Sequence, residues 1–324
     1  MTKTLLFLPV LFSLVAAAQF QQQPTRFDKF ITKSKIEWAA YANDTFNFGK
    51  AGLNTLLLNR LTKKEIRAGL PFESRTKAIN NTSFITRDSI DNAFYGINYD
   101  IMMDTAGNDI MIKRPIPAPD TATFKLTEVT QILYVQNGIL KSYIPFITPT
   151  LPVYMSTGFY IGQRFYFNTC YNISYNCASP KRNRQLFLAQ TKKRIDPGRG
   201  TLKEMYGQNL VETLWPHVLN NEIAVFAVDD NRELKPEEIN SNLTFDQPVL
   251  TPIYNPEGAV VDYKVIAAPI DPKKFAAVEL VQDWYYDHKK NKVFSYVKEM
   301  VLYINKSKET EDKHPVPVLK LVFK

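Results

Sequence analysis

The stretch FAAVELVQDWYYDHKKNKVFSYVKEMVLY, Phe275 to Tyr303, decides the fold. Phe275, Ala277, Glu279, Val281, Asp283 and Tyr285 share one face of an extended strand, and the polar run Asp287 to Lys292 turns the chain into a second strand, Val293 to Ile304. The spacing predicts a long β-hairpin. An earlier stretch, FKLTEVTQILYVQNGILKSYIPFI (Phe124 to Ile147), has the same build. Its Asn137-Gly138 is the strongest short-range signal for a two-residue type I′ turn.

Sliding the sequence against itself by 151 positions pairs Gly107 with Gly258, Lys113 with Lys264, Asp120 with Asp271, Phe124 with Phe275, Glu128 with Glu279, Gln131 with Gln282 and Tyr134 with Tyr285. At a slightly larger offset Leu53, Leu57, Leu61, Glu65 and Ile66 match Leu210, Leu214, Val218, Glu222 and Ile223. The helical period gives each of these stretches one apolar stripe. The expected fold is therefore α+β: two tandem related modules, each an amphipathic helix packed on a small antiparallel sheet ending in a long β-hairpin.

The N-terminus carries Lys3, an apolar run from Leu5 to Val15, and Ala16-Ala17-Ala18 before Gln19. The run is too short to span a bilayer, and the small residues suit signal-peptidase cleavage, so a signal peptide over 1–18, cut after Ala18, is expected. No later stretch is apolar enough for a transmembrane segment. The rest exceeds what one core usually supports. It divides into a flexible lead (19–26), a first module (27–180), a basic linker (181–200), a second module (201–305), and a charged tail with an edge strand (306–324). Helices are expected over Leu53–Ala68 and Leu202–Asn220, and strands over Tyr95–Met103, Ile223–Val228 and Val316–Lys324. Aromatic residues make up 13% of the chain against only 12 glycines, which argues for packed β structure rather than disorder.

The formal charge is +8, and much of the excess falls between Lys181 and Lys203. Arg182, Arg184, Lys192, Lys193 and Arg194 there make either a solvated linker or a docking strip for an acidic partner. Nucleic acid is excluded as a partner by the absence of a binding motif in an exported chain. In an oxidising compartment Cys170 and Cys177 would close a short loop, worth about 2–3 kcal/mol. No cofactor or metal is expected, since His217, His288 and His314 lack ligand spacing. No nucleophile elbow, zinc helix motif, phosphate loop or redox Cys pair is present. Asp283 and Asp287 lie on one strand face about 13 Å apart, too far for shared acid-base work. The chain is expected not to be an enzyme, although Glu128 and Glu279 leave an exported hydrolase as a third reading.

Certain residues resemble a known family, the periplasmic ring component of the gliding-motility and type IX secretion machinery (the GldN/PorN group). They are Glu222-Ile223-Ala224-Val225-Phe226 after a helix, the acidic turn Asp229-Asp230, the helix start Lys235-Pro236-Glu237-Glu238, and Gln282-Asp283-Trp284-Tyr285-Tyr286-Asp287-His288 opening a hairpin. The aromatic run Phe165-Tyr166-Phe167-Asn168-Thr169-Cys170 is similar to another element of that family. The resemblance implies a non-enzymatic structural protein in the periplasm, held peripherally at the outer membrane. Its expected partners are an outer-membrane lipoprotein of the secretion ring and other secretion-system components, in an oligomeric assembly. Asp283, Trp284, Tyr285, Tyr286 and Asp287 are then candidates for partner binding. A secreted cargo or cell-surface binding protein, with Val316–Lys324 as its export tail, is the alternative.

Overall fold

In a computed structural model the described residues are 31–32, 35–70, 86–96, 99–113, 116–170, 185–195, 202–207, 209–242, 249–266, 270–306 and 314–323. The expected signal peptide and flexible lead, Cys177, Arg182, Arg184 and the charged segment before His314 lie outside them, as does the side chain of Cys170. Met1–Lys35 forms a unit of its own, and Ile36–Lys324 forms one compact body.

Two antiparallel sheets make up that body. The first contains β1 (Trp38–Asn47), β2 (Ala68–Gly69), β5 (Leu126–Gln136), β6 (Ile139–Tyr154), β8 (Asn168–Cys170) and β10 (Leu202–Tyr206), in the order β10-β1-β5-β6-β8-β2, with β7 (Tyr160–Phe165) on the end of β6. The second contains β9 (Gln185–Ile195), β11 (Ala224–Ala227), β12 (Glu233–Leu234), β15 (Phe275–Asp287), β16 (Lys292–Lys306) and β17 (His314–Val322), in the order β12-β11-β17-β16-β15-β9. Two hairpins stand apart from the sheets: β3 (Tyr99–Met103) with β4 (Asp109–Lys113), and β13 (Val249–Tyr254) with β14 (Val260–Ile266). The helices are α1 (Leu53–Thr62), α2 (Arg87–Tyr95), α3 (Leu210–Leu219) and α4 (Pro236–Asn242).

From β1 the chain runs strand, helix, short strand, helix, detached hairpin, long hairpin, then β7 and β8. From β9 it runs two strands, helix, two short strands, helix, detached hairpin, long hairpin, then β17, so the two runs share a helix, a short strand, a helix and two hairpins in the same order. The local chemistry repeats as well. In the detached hairpins Asp104 Oδ1 accepts from Asn108 N, and Asn255 Oδ1 from Ala259 N. Before the long hairpins Asp120 caps Ala122 N and Asp271 caps Lys273 N, at 2.9 and 3.0 Å. After α1, Lys64 takes φ 58° while Glu65 N donates to Arg60 O; after α3, Asn221 takes φ 60° while Glu222 N donates to His217 O. The first long hairpin closes on Asn137 and Gly138, both at positive φ as a type I′ turn requires. The second closes on the pair Asp287 and Lys292, where Asp287 Oδ1 accepts from Lys289 N and Lys290 N.

Two apolar cores hold the body together, and each takes residues from both sheets. The first joins Leu53, Leu57 and Leu61 of α1, Ile90 of α2 and Val129, Ile144 and Ile147 of the first sheet to Leu188, Trp284, Tyr286 and Val293 of the second. The second core joins Leu210, Leu214 and Val218 of α3, Ile239 of α4 and Leu280, Val297 and Met300 of the second sheet to Trp38, Ala40, Leu133, Val135 and Leu140 of the first. Each such aliphatic side chain gains about 1.5–3 kcal/mol on leaving water. Neither sheet with its own helices closes a core, so the two depend on each other.

Several expectations are corrected. The stretch expected as a linker at 181–200 contains β9, which pairs along its length with β15. Leu202–Asn220 is not one helix: Leu202–Tyr206 is a strand on β1, and Asn209 caps a helix that starts at Leu210. Gly207, at φ 87°, separates them, and a Cβ there would come within 2.7 Å of Glu37 O. The first helix stops at Thr62, short of Ala68, and Tyr95 ends a helix rather than starting a strand. The C-terminal strand is not an edge. β17 lies between β16 and β11, and its two prolines, Pro315 and Pro317, fall where β11 does not reach.

Candidate functional site

The Trp284 motif is built into the core. A register shift between Phe275 and Ala277 brings Phe275 onto the inward face with Val278, Leu280, Gln282, Trp284 and Tyr286. Trp284 is 0% exposed; its ring lies 4.7 Å from that of Phe46 and 5.7 Å from that of Phe48, and its Nε1 donates to Thr191 Oγ1 at 2.7 Å. Tyr286 is equally buried, donates to Asn291 Oδ1, and has its pKa pushed up to about 12, chiefly by that burial. Of the five residues expected to meet a partner, Trp284 and Tyr286 are interior. Asp287 caps the turn, and Asp283 accepts from Gln190 at 2.8 Å and pairs with Lys298 at 3.2 Å. Tyr285 faces outward between Phe187 and Tyr296, with ring centroids 5.4 and 5.7 Å away.

The basic strip divides by the two-residue strand period. Lys192 and Arg194 point to solvent, Arg194 lying 4.2 Å over the ring of Tyr303 and opposite Glu279 in register. Lys193 turns inward and pairs with the buried carboxylate of Asp44. Between the sheets, Gln282 Nε2 donates to Gln131 Oε1 at 3.0 Å and to Ser295 Oγ at 2.8 Å, while Gln131 Nε2 donates to Gln282 Oε1 at 3.4 Å and Ser142 Oγ donates to Gln131 Oε1 at 2.9 Å. The sequence marks Gln131 and Gln282 as equivalent positions of a repeat and not as contact partners.

Each long hairpin tip reaches the end of the other half's helix. At the first, Gly138 N donates to Glu37 Oε1, and Glu37 and Glu222 hold the two ring nitrogens of His217 on α3 at 2.8 and 2.6 Å. A Cβ on Gly138 would strike that imidazole at 2.6 Å. At the second, Asn291 Nδ2 donates to Glu65 O, beside the Arg60–Glu65 ion pair of α1. Partial burial opposes charge on His217, but its hydrogen bonds to Glu222 and Glu37, with their charges, outweigh this and hold its pKa above 6.5. The sign follows: this clamp contributes fully below the unfolded value of 6.5 and is lost as pH rises through the raised folded value. Glu222, its pKa lowered below 4.5 by His217, sets the acid limit. The urea midpoint is expected to fall as pH rises from about 6 to about 9, and His217→Gln is expected to remove that slope.

The polar side chains thus serve structure, and among the described residues no cluster of His, Cys, Asp or Glu could hold a metal ion. Among the described residues the accessible surface includes large apolar side chains. β3 and β4 expose Ile101, Met103 and Met111, β13 and β14 expose Tyr254, Val261 and Tyr263, and the β6–β7 turn exposes Met155 and Phe159. Isolated two-stranded ribbons with bare apolar side chains suit contact with another macromolecule better than turnover of a small substrate.

The fold is that of a mixed, predominantly antiparallel-sheet protein with exposed apolar hairpins. Over residues 179–324 the chain matches the model of a protein family, the gliding motility associated protein GldN. The matched residues run from before β9 through β17 and include Glu222–Phe226, Asp229-Asp230, Lys235–Glu238 and Gln282–His288 of the resemblance, while Phe165–Cys170 falls outside the match. No curated protein matches the sequence. No helix among the described residues is long and apolar enough to cross a membrane.

Proposed function

We propose that the chain is a non-enzymatic structural component of the gliding-motility and type IX secretion machinery. It is exported by a signal peptide cleaved after Ala18, stays in the periplasm, and docks in an oligomeric assembly on an outer-membrane lipoprotein partner. The observation that carries this reading is the family match, which spans one complete run of elements from β9 to β17. The repeated order of elements and the repeated caps support two tandem copies of one module. Docking falls to the apolar arms and to the outward face around Tyr285, Lys192 and Arg194, since Trp284 and Tyr286 are enclosed.

Co-purification from envelope membranes tests the proposal. The protein is expected in the outer-membrane fraction, with crosslinks from Lys113, Lys192 or Lys289 to a lipoprotein, and is expected to become soluble when that lipoprotein is deleted. Recovery only as a free monomer, unchanged by the deletion, contradicts it. The cargo alternative needs a detachable C-terminal tail, whereas Leu319 and Leu321 lie in a core.

A further inference from the structure

We propose that the seam between the two sheets is a subunit interface folded into one chain: the surface around Gln131 and the surface around Gln282 meet across a pseudo-two-fold axis, as two copies of one module would in a dimer. This rests on reading the repeated order as two tandem copies. At a two-fold interface, residues on the axis meet their own counterparts. Strand register fixes the counterparts here without reference to the contacts. Gln131 lies opposite Ala42 and Gln282 opposite Thr191; Ser142 lies opposite Leu133 and Ser295 opposite Trp284; Asp44 lies opposite Val129 and Lys193 opposite Leu280. Positions 151 apart, Gln131 with Gln282, are thereby equivalent, and they exchange hydrogen bonds with each other while each also bonds its own half's serine. Asp44 and Lys193 are equivalent, and they form an ion pair.

The reciprocity extends away from the axis. The tip of the first hairpin docks by the end of α3 at His217 and Glu222, and the tip of the second docks by the end of α1 at Arg60 and Glu65; each pair is one residue in the last turn of its helix and one three residues past its end. Asp44 and Lys193 also make the seam selective. Two first modules would set Asp44 against Asp44, and two second modules Lys193 against Lys193, so only the mixed pair is neutral. Pairing of unlike halves is thus preferred over pairing of like halves.

The test uses the full chain with a protease site inserted between Cys170 and Gln185. The folded protein is cleaved, and association of its halves is followed by sedimentation for the parent, Asp44→Lys, Lys193→Asp and the reversed pair carrying both. The parent halves are expected to stay together, and each single reversal to weaken association by about tenfold or more. The reversed pair is expected to return to within about threefold of the parent, because an axis makes the two positions interchangeable. A reversed pair as weak as the single variants, with circular dichroism unchanged, overturns the proposal. If a cleaved variant precipitates, the same cycle is read from urea midpoints of the uncleaved chains, with the same outcomes for and against. No envelope partner enters this assay, so its result is separate from that of the co-purification.

Discussion

Trp284→Ala is expected to destabilise the body by about 3–5 kcal/mol, the usual cost of emptying the site of a large buried aromatic. Total stabilities are typically about 5–15 kcal/mol, so most of the folded population would be put at risk. The reason is local: the indole fills the first core against Phe46 and Phe48 and satisfies Thr191, and no neighbour can collapse into its place without moving two strands. Tyr285→Ala, one residue along on the outward face, is expected to cost under about 1 kcal/mol. Urea melts of both variants check the contrast. Equal effects would mean that Trp284 does not occupy the core.

Ending the chain at Lys313 is expected to abolish the cooperative fold. The cut removes β17, strips Leu319 and Leu321 from the second core, and exposes the edges of β16 and β11 together. Unpaired edges of that kind invite aggregation. Loss of soluble protein on expression and the absence of a cooperative melt are the expected readouts. A truncated chain that melts like the parent yet fails to leave the cell would instead mark the tail as an export signal.

Much of the architecture can be read from the residues. Asn137-Gly138 demands a type I′ turn, and the leucine stripes at Leu53–Leu61 and Leu210–Val218 demand helices with one buried side. The likeness of Asp104–Gly107 to Asn255–Gly258 reflects one turn chemistry used twice. β9 was obscured because Lys192, Lys193 and Arg194 look like solvated charge, while the register shift between Phe187 and Ala189 interrupts the alternation. An edge strand tolerates such charges, since half of them face water. β10 escaped notice because it pairs with the sheet of the other half, which local propensity cannot show. Trp284-Tyr285-Tyr286 offers three aromatics in a row, so composition alone could not say which face is buried. The seam was legible only as the coincidence of Gln131 with Gln282, and its meaning needed the register of both hairpins.

The two halves are expected to fold as one unit because each core is completed by the other half's sheet. Trp284 reports on the first core, and Trp38 and Trp215 report on the second. Urea unfolding followed by fluorescence in a Trp38→Phe/Trp215→Phe chain, and separately in a Trp284→Phe chain, tests the claim. Each variant is also followed by circular dichroism. Within each variant the two signals are expected to give one coincident midpoint. A tryptophan midpoint displaced from the midpoint of the rest of that same chain would show that the halves unfold independently and would contradict the claim.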